Sequence, residues 1–408
     1  MNSKKLHLLL TVILFLLVMG MNVTAAGKGA ISMWVYEPEQ SRTQMNGLLA
    51  AFEKETGYHV NVTYIPKGDF NTKVNTAVAT GQAPDVSYLD QPLVPRFAVD
   101  QVILNLDSYA KGSDGIDKSK YYQGALSTNI IGGHLYGLPL DQSCVALYYN
   151  RDLVKTPPDT WSEWIAMAKK VYQKGRVAAF EVPSGGGWGA WLFPAFVASA
   201  GGTMVDQNET RVTFDQQPAI AALQLWQDLR KYSEKEVTDS ANAFENGFVA
   251  TKVSGPWELK GYRENFPKLH FGVALIPRRD ARDIHATNIG GENLVVYKST
   301  KNHTAAWALL KYLTYKPENA ITCAQITGNF PVLLQAAQNP QYQKDEALKV
   351  FVKQMETAQS RPRIISWLKI NDEVLGKAID QAMSGESSPG EALKLAATKA
   401  NLIIKREK

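Results

Sequence analysis

The sequence predicts an α/β protein of two domains, each a mostly parallel sheet with helices packed on its faces. Three observations carry this. Strand-like and helix-like patterns alternate through the first third of the chain. The 408 residues exceed the roughly 100–200 of a single domain. No repeat or low-complexity linker separates two halves, so the chain is expected to cross between domains more than once.

"ISMWVY" (31–36) reads as a buried strand. In the following "TQMNGLLAAFEKETG", Met45, Leu48, Leu49 and Phe52 fall on one helical face, and Gly57 closes the helix. "HVNVTYIP" alternates as a strand and stops at Pro66. "DFNTKVNTAVATG" is helical, with Phe70, Val74 and Val78 in line, and "APDVSYL" is a third strand. "HLYGLPLDQSCVALYYN" (134–150) is long, extended and interrupted by Pro139, as a strand leaving one sheet for another would be. Thr160 and Glu163 form a Thr-x-x-Glu capping box, so a helix starts there and stops near Gly175. "QPAIAALQLWQDLRKYS" and "TAAWALLKYLT" are helices; "LHFGVALIP" and "ENLVVY" are strands. A last helix has Ser388 as cap, Pro389 at its first position and Glu391 at its third.

Composition narrows the function. Hydrophobic residues make up 45% and charged residues 20%, a globular balance. The net charge is +5 with no dense Lys/Arg block, which argues against nucleic acid. Lys4 and Lys5 precede "LHLLLTVILFLLVMGMNV", which ends in "TAAGKGA": the basic, apolar and small-residue order of a secretory signal peptide, with cleavage expected after Ala25 or Ala26. No Cys follows the apolar run, so a soluble rather than lipid-anchored exported protein is expected. The two cysteines, Cys144 and Cys323, could pair in an oxidising compartment or stay as buried thiols; neither has metal-site spacing.

Catalysis has little support. Beyond the leader, the histidines are His59, His134, His270, His285 and His303; none lies in H-E-x-x-H, and no G-x-S-x-G occurs. Carboxylates are too numerous for a glycosidase pair to be read from spacing. "PSGGGWGAW" (183–191) fits a loose dinucleotide fingerprint, but Trp188 stands where backbone would have to approach a pyrophosphate. It reads better as a glycine turn positioning Trp188 and Trp191, either outward or into the core. Trp34, inside an apolar strand, reads as core. Trp257 differs: it follows Gly255-Pro256, a turn that belongs at the surface, and precedes Glu258. A sugar offers an apolar C–H face and a hydroxyl edge, and a ring beside a carboxylate matches both.

Taken in order, "AAFEKETGYHV", "APDVSYLD", "GGHLYGLPL…ALYYNRDLV", "PPDTWSEW", "FENGFVATKVSGPWEL", "GGENLVVYKSTKNHTAAWALLKYLT", "TGNFPVLL" and "SPGEALKLAATKANLII" resemble the extracellular solute-binding proteins of carbohydrate ABC importers, the maltose-binding-protein type. The resemblance implies the periplasmic-binding-protein fold: two α/β lobes joined by a hinge, with ligand in the cleft between them. Carried onto this numbering, it implies a signal peptide over 1–26, one lobe over 27–141 and 278–330, and the other over 142–277 and 331–408. It places Trp257, with Glu258 beside it, on the sugar-stacking turn, and Tyr88 and Asp90 at a strand end in the cleft. Tyr36, Glu37 and Gln40 would form the first cleft loop. Asp141 would stand near ligand at the crossing, and Glu292 and Asn293 on a later loop. Trp188 and Trp191 would be aromatic contacts, with Arg363 and Trp367 at the rim.

The implied function is a non-enzymatic periplasmic binder of a sugar or oligosaccharide that delivers it to the permease subunits of an ABC importer. A monomer without cofactor or metal is expected. The alternatives are the same fold holding a polyol, glycerol phosphodiester or peptide, or a secreted polysaccharide-degrading enzyme. The exported chain is expected to begin near Gly27; N-terminal sequencing of protein from the periplasmic fraction checks this, and a membrane-bound chain retaining Met1 would refute it.

Overall fold

A computed structural model describes residues 28–37, 39–183 and 186–407; the expected signal peptide lies outside the described residues. The strands that position the site are β1 (Gly29–Val35), β2 (Tyr58–Tyr64), β3 (Val86–Asp90), β4 (Gly137–Pro139), β5 (Ala146–Asn150), β6 (Ala178–Phe180), β7 (Val249–Ser254), β8 (Phe271–Ala274) and β9 (Glu292–Val296). They form a five-stranded sheet of order β2-β1-β3-β9-β4 and a four-stranded sheet of order β8-β5-β7-β6.

The sheets are less parallel than the strand–helix alternation suggests. β1 runs parallel to β2 and β3, and β6 to β7, but β9 is antiparallel to both β3 and β4, and β5 to β7 and β8. The reversal follows from the crossings: β9 enters the first sheet from the opposite end, because the chain arrives there from the second sheet.

Strand alternation builds the cores. In β1, Ile31, Met33 and Val35 are buried, while Ser32 and Trp34 are half-buried on the other face. Around β5, Val145 and Leu147 enter one core, and Cys144, Ala146 and Tyr148 enter another on the opposite face of the second sheet. Leu147, with no exposed surface, is typical of residues whose burial stabilises by about 1.5–3 kcal/mol each. Both predicted capping boxes are present, at Thr160 with Glu163 and at Ser388 with Glu391; the first helix (Trp161–Val171) stops four residues short of Gly175. Cys144 and Cys323 are both buried free thiols.

Three segments run side by side between the sheets. Residues 140–143 lie next to residues 290–292, with Ser143 and Gly290 exchanging backbone hydrogen bonds of 3.0 and 2.8 Å. On the other side Gln142 and Phe330 do the same at 2.9 and 2.8 Å, and the Gln142 amide donates to the Pro331 carbonyl at 3.0 Å. The cores show where the chain settles after each passage. Arg278 bridges to Thr160 beside the second sheet, whereas Val332, Leu333 and Ala336 pack into the first core.

Gly291 makes the close approach of 290–292 to 140–143 possible. Its φ is +119°, and a Cβ would sit 2.4 Å from the Asp141 carbonyl oxygen. Gly291→Ala is therefore expected to destabilise the fold by about 1–3 kcal/mol, as strained backbone does; chemical denaturation with an unchanged m-value would register it.

Candidate ligand-binding cleft

Between the sheets lies a cavity of about 640 Å³, within the size range of small-molecule sites. Its floor comes from strand ends of the first sheet. Tyr36 follows β1, Asp90 ends β3, and Glu292 begins β9 directly opposite Asp90 in the antiparallel register. Lys67, Phe70 and Asn71 enter from the first turns of the helix Lys67–Ala79. The second lobe supplies an aromatic wall of Trp188, Trp191, Trp257 and Trp367.

The wall follows from local sequence. Trp257 leads into the helix Glu258–Asn265, and its ring folds back over Gly255: a Cβ there would fall 2.0 Å from the ring. So Gly255 is small because Trp257 lies across it. Trp188 and Trp191 sit on the helix Gly186–Ala198 rather than on a glycine turn. Their rings stack with centroids 5.2 Å apart and planes 7° apart, and Trp257 meets Trp188 edge-to-face at 6.4 Å. Trp188 keeps 46% of its surface exposed, whereas Trp367 keeps 1% and shows the cavity little more than an edge.

The floor is electrostatically loaded. Asp141 is buried and accepts from the Glu292 backbone N–H at 3.1 Å. Glu37 is buried behind the floor and accepts from the Tyr88 hydroxyl at 2.6 Å. Burial pushes the Glu37 carboxyl up to about 8, with Asp141 and Glu292 adding to the rise. Burial also pushes Glu292 up to about 7, against the opposing pull of Lys67 and with Asp90 and Asp141 reinforcing it. Asp141 is raised by burial too. Glu292 Oε2 and Asn329 Oδ1, both on cavity-lining residues, are buried without a hydrogen-bond partner among the described residues. A ligand rich in hydroxyls would satisfy such acceptors.

Of the residues expected at ligand, Tyr36, Asp90, Trp188, Trp191, Trp257, Glu292 and Trp367 line the cavity. Glu37, Tyr88 and Asp141 form a layer behind it. Four stand elsewhere. Gln40 is exposed on the first turn of the helix Glu39–Thr56. Glu258 turns away from the ring it follows, accepting from Ser254 Oγ at 2.8 Å and facing Lys252 at 3.7 Å. Asn293 is one residue from Glu292, so strand alternation sends it to the other face, where Asn129 Nδ2 donates to it at 2.6 Å. Arg363 pairs with Glu209 at 3.4 Å beside a smaller cavity.

Lys67, Asn329, Arg361 and Asp372 line the cleft without having been singled out in the sequence. Lys67 had a usable signal, since it directly follows Pro66 at the end of a strand, where α/β sheets bind ligands. Asp372 lies in a π-helical segment, Ile370–Leu375, which leaves no sequence mark.

Two lobes around one cleft are the architecture of the periplasmic-binding-protein fold, and solved structures agree. An ABC substrate-binding protein from Listeria monocytogenes, in complex with cycloalternan, superposes with a TM-score of 0.82 at 22% identity, over 93% of this chain and 99% of that one. The GacH receptor of Streptomyces glaucescens gives 0.81 at 24%, over 92% and 98%. The sequence profile of the bacterial extracellular solute-binding proteins matches residues 47–350, well over half of the chain. The chain belongs to that family, whose members bind solutes and act outside the cytoplasm. Among relatives, the maltodextrin-binding protein MdxE of Bacillus subtilis is 26% identical, over 83% of this chain and 82% of its own length. The sn-glycerol-3-phosphate-binding periplasmic protein UgpB of Pectobacterium atrosepticum is 23% identical, over 95% and 94%.

The raised carboxyls give the ligand-free protein a pH signature. Glu37 and Glu292 hold protons in the fold more tightly than their ordinary 4.5. Their stabilising contribution is therefore fully present below that value and is lost as pH rises through about 7 and 8. The melting temperature should fall between pH 5 and pH 8, and Glu292→Gln should flatten that fall; a pH series of thermal melts on both proteins reads it out.

Proposed function

We propose that this protein captures a sugar or oligosaccharide in the cleft between its lobes and delivers it to the membrane permease of an ABC importer. The single observation that carries the reading is the cleft's division of labour. The four tryptophans stand on one lobe and most of the carboxylates and amides on the other, Asn371 and Asp372 being the exceptions, and Glu292 and Asn329 keep oxygens unpartnered among the described residues. Rings cover the C–H face of a saccharide, and the polar floor takes its hydroxyl edge. Because the two halves stand on different lobes, ligand touches both only when the cleft is closed, and so shifts the hinge towards closure.

The names of relatives support the class: maltotriose for a protein of Pyrococcus abyssi, maltodextrin for one of Bacillus subtilis. A phosphate ester, which the Pectobacterium relative's name specifies, suits this floor poorly. Lys67 stands there among carboxylates, and Arg361 is already paired with Asp90. Within this reading the protein is a soluble monomer of the periplasm. The leader pattern and the lack of a cysteine after it support that placement, although a streptococcal relative is named a lipoprotein. Asp90, Glu292, Tyr36 and Asn329 accept from or donate to hydroxyls; Trp188 and Trp257 are the platforms.

A sugar library screened by thermal shift tests the class, because a ligand that binds only the folded state raises the melting temperature. With the cognate sugar identified, Trp257→Ala should weaken binding by about 2–4 kcal/mol, the range of an interface hot spot, or roughly 30-fold to 1,000-fold. Titration calorimetry measures the loss. Unchanged affinity would remove Trp257 from the site, and a library without a single shift would sink the carbohydrate reading.

A further inference from the structure

Beside the main cleft lies a second cavity of about 190 Å³, also at the seam between the lobes. Its first-lobe side is Gln91, Ser127 and Thr128, and its second-lobe side includes Glu209 and Ser360. The two cavities share two lining residues, Pro92 and Arg361. Pro92 is held by the backbone where β3 gives way to the helix Leu93–Val99. The movable part of the partition is therefore the Arg361 side chain.

That side chain is fixed in place by charge. Its guanidinium forms an ion pair with both Asp90 oxygens, the Nη1 contact being 3.4 Å, and Nη2 reaches Gln91 Oε1 at 3.5 Å. Only 8% of the Arg361 side chain is exposed. The pair joins an element of the first sheet to the segment leading into Ile364 and Trp367 of the second-lobe core. Arg361 Nε is buried and has no hydrogen-bond partner among the described residues.

We propose that Arg361, clamped on Asp90, is the end wall of the cleft and sets the greatest length of saccharide it accepts, the smaller cavity beyond being a latent subsite for a further sugar unit. The lining of that cavity fits a hydroxyl-bearing unit, since Ser127, Thr128, Ser360, Gln91 and Glu209 are all polar. The proposal rests on the carbohydrate reading and sharpens it from a class of ligand to a limit on its size. The first lobe and the second each contribute one arm of the wall, so the limit exists only in the closed cleft.

Calorimetric titration with the linear maltodextrins and cellodextrins, from disaccharide to heptasaccharide, tests it on the full exported chain. The readout is the ratio of affinity for the longest member to that for the preferred member, in whichever series the wild type binds. Arg361→Ala should raise that ratio at least tenfold. Because this variant leaves Asp90 without its partner, Asp90→Asn/Arg361→Ala is measured alongside it, with thermal melting to show that it folds. Adding Ser127→Phe to the double variant should fill the small cavity and abolish the gain. A folded double variant whose length profile matches the wild type overturns the wall and leaves the carbohydrate reading standing. A wild type that binds no saccharide overturns the carbohydrate reading, and the wall with it.

Discussion

The fold depends on the narrow ribbon where residues 140–143 pair with 290–292 on one side and with Phe330 on the other. Every hydrogen bond of that ribbon joins segments distant in sequence, so the ribbon ties together parts of the chain that local structure does not. It is also where the two requirements of the molecule meet. The segments must be paired, because their backbone groups are buried. They must also be thin, because a hinge bends through a few residues and not through a packed layer. Gly290 and Gly291 keep the ribbon thin, and Asp141 and Glu292 are placed by the same residues that hold it together.

That placement explains why the cleft floor is rich in carboxyl groups and buried at once. Asp141 and Glu292 are fixed by backbone pairing and cannot turn away from each other. Behind them, Glu37 and Tyr88 are locked by a hydrogen bond whose donor has no exposed surface. The acidic groups are stable there because burial keeps them protonated to unusually high pH, and Lys67 offsets part of what remains. In the aromatic wall, local helix and turn geometry sets where Trp188, Trp191 and Trp257 start, and packing between distant segments, such as Trp257 on Trp188, completes it.

This contrast decides what could be read from the sequence. Trp257 was legible because Gly-Pro-Trp is a local signal, and Gly255 proves to be local in its cause. The order of strands and helices was legible for the same reason, and so were both capping boxes. What pairing decides was not. Whether Glu292 or its neighbour Asn293 faces the cleft depends on the register of β9 against β3, and no periodicity in "GGENLVVY" fixes it. Arg361 and Arg363 are chemically identical; their separation into one partner of Asp90 and one of Glu209 is set by contacts more than a hundred residues away. The antiparallel direction of β9 is likewise a property of the crossings, invisible in the strand itself.

The distribution of the nine tryptophans has an optical consequence. Trp164 and Trp226 are sealed in packed surroundings, Trp161 and Trp307 nearly so, and Trp34 is half-buried outside the cleft lining, so their emission is a background, while Trp367 shows the cleft little more than an edge. Trp188, Trp191 and Trp257 stand together at the mouth, two of them close enough for their excited states to interact. The protein thus carries its own fluorophores at the one place where the solvent surroundings change when the lobes come together, and needs no dye to reveal whether it is occupied.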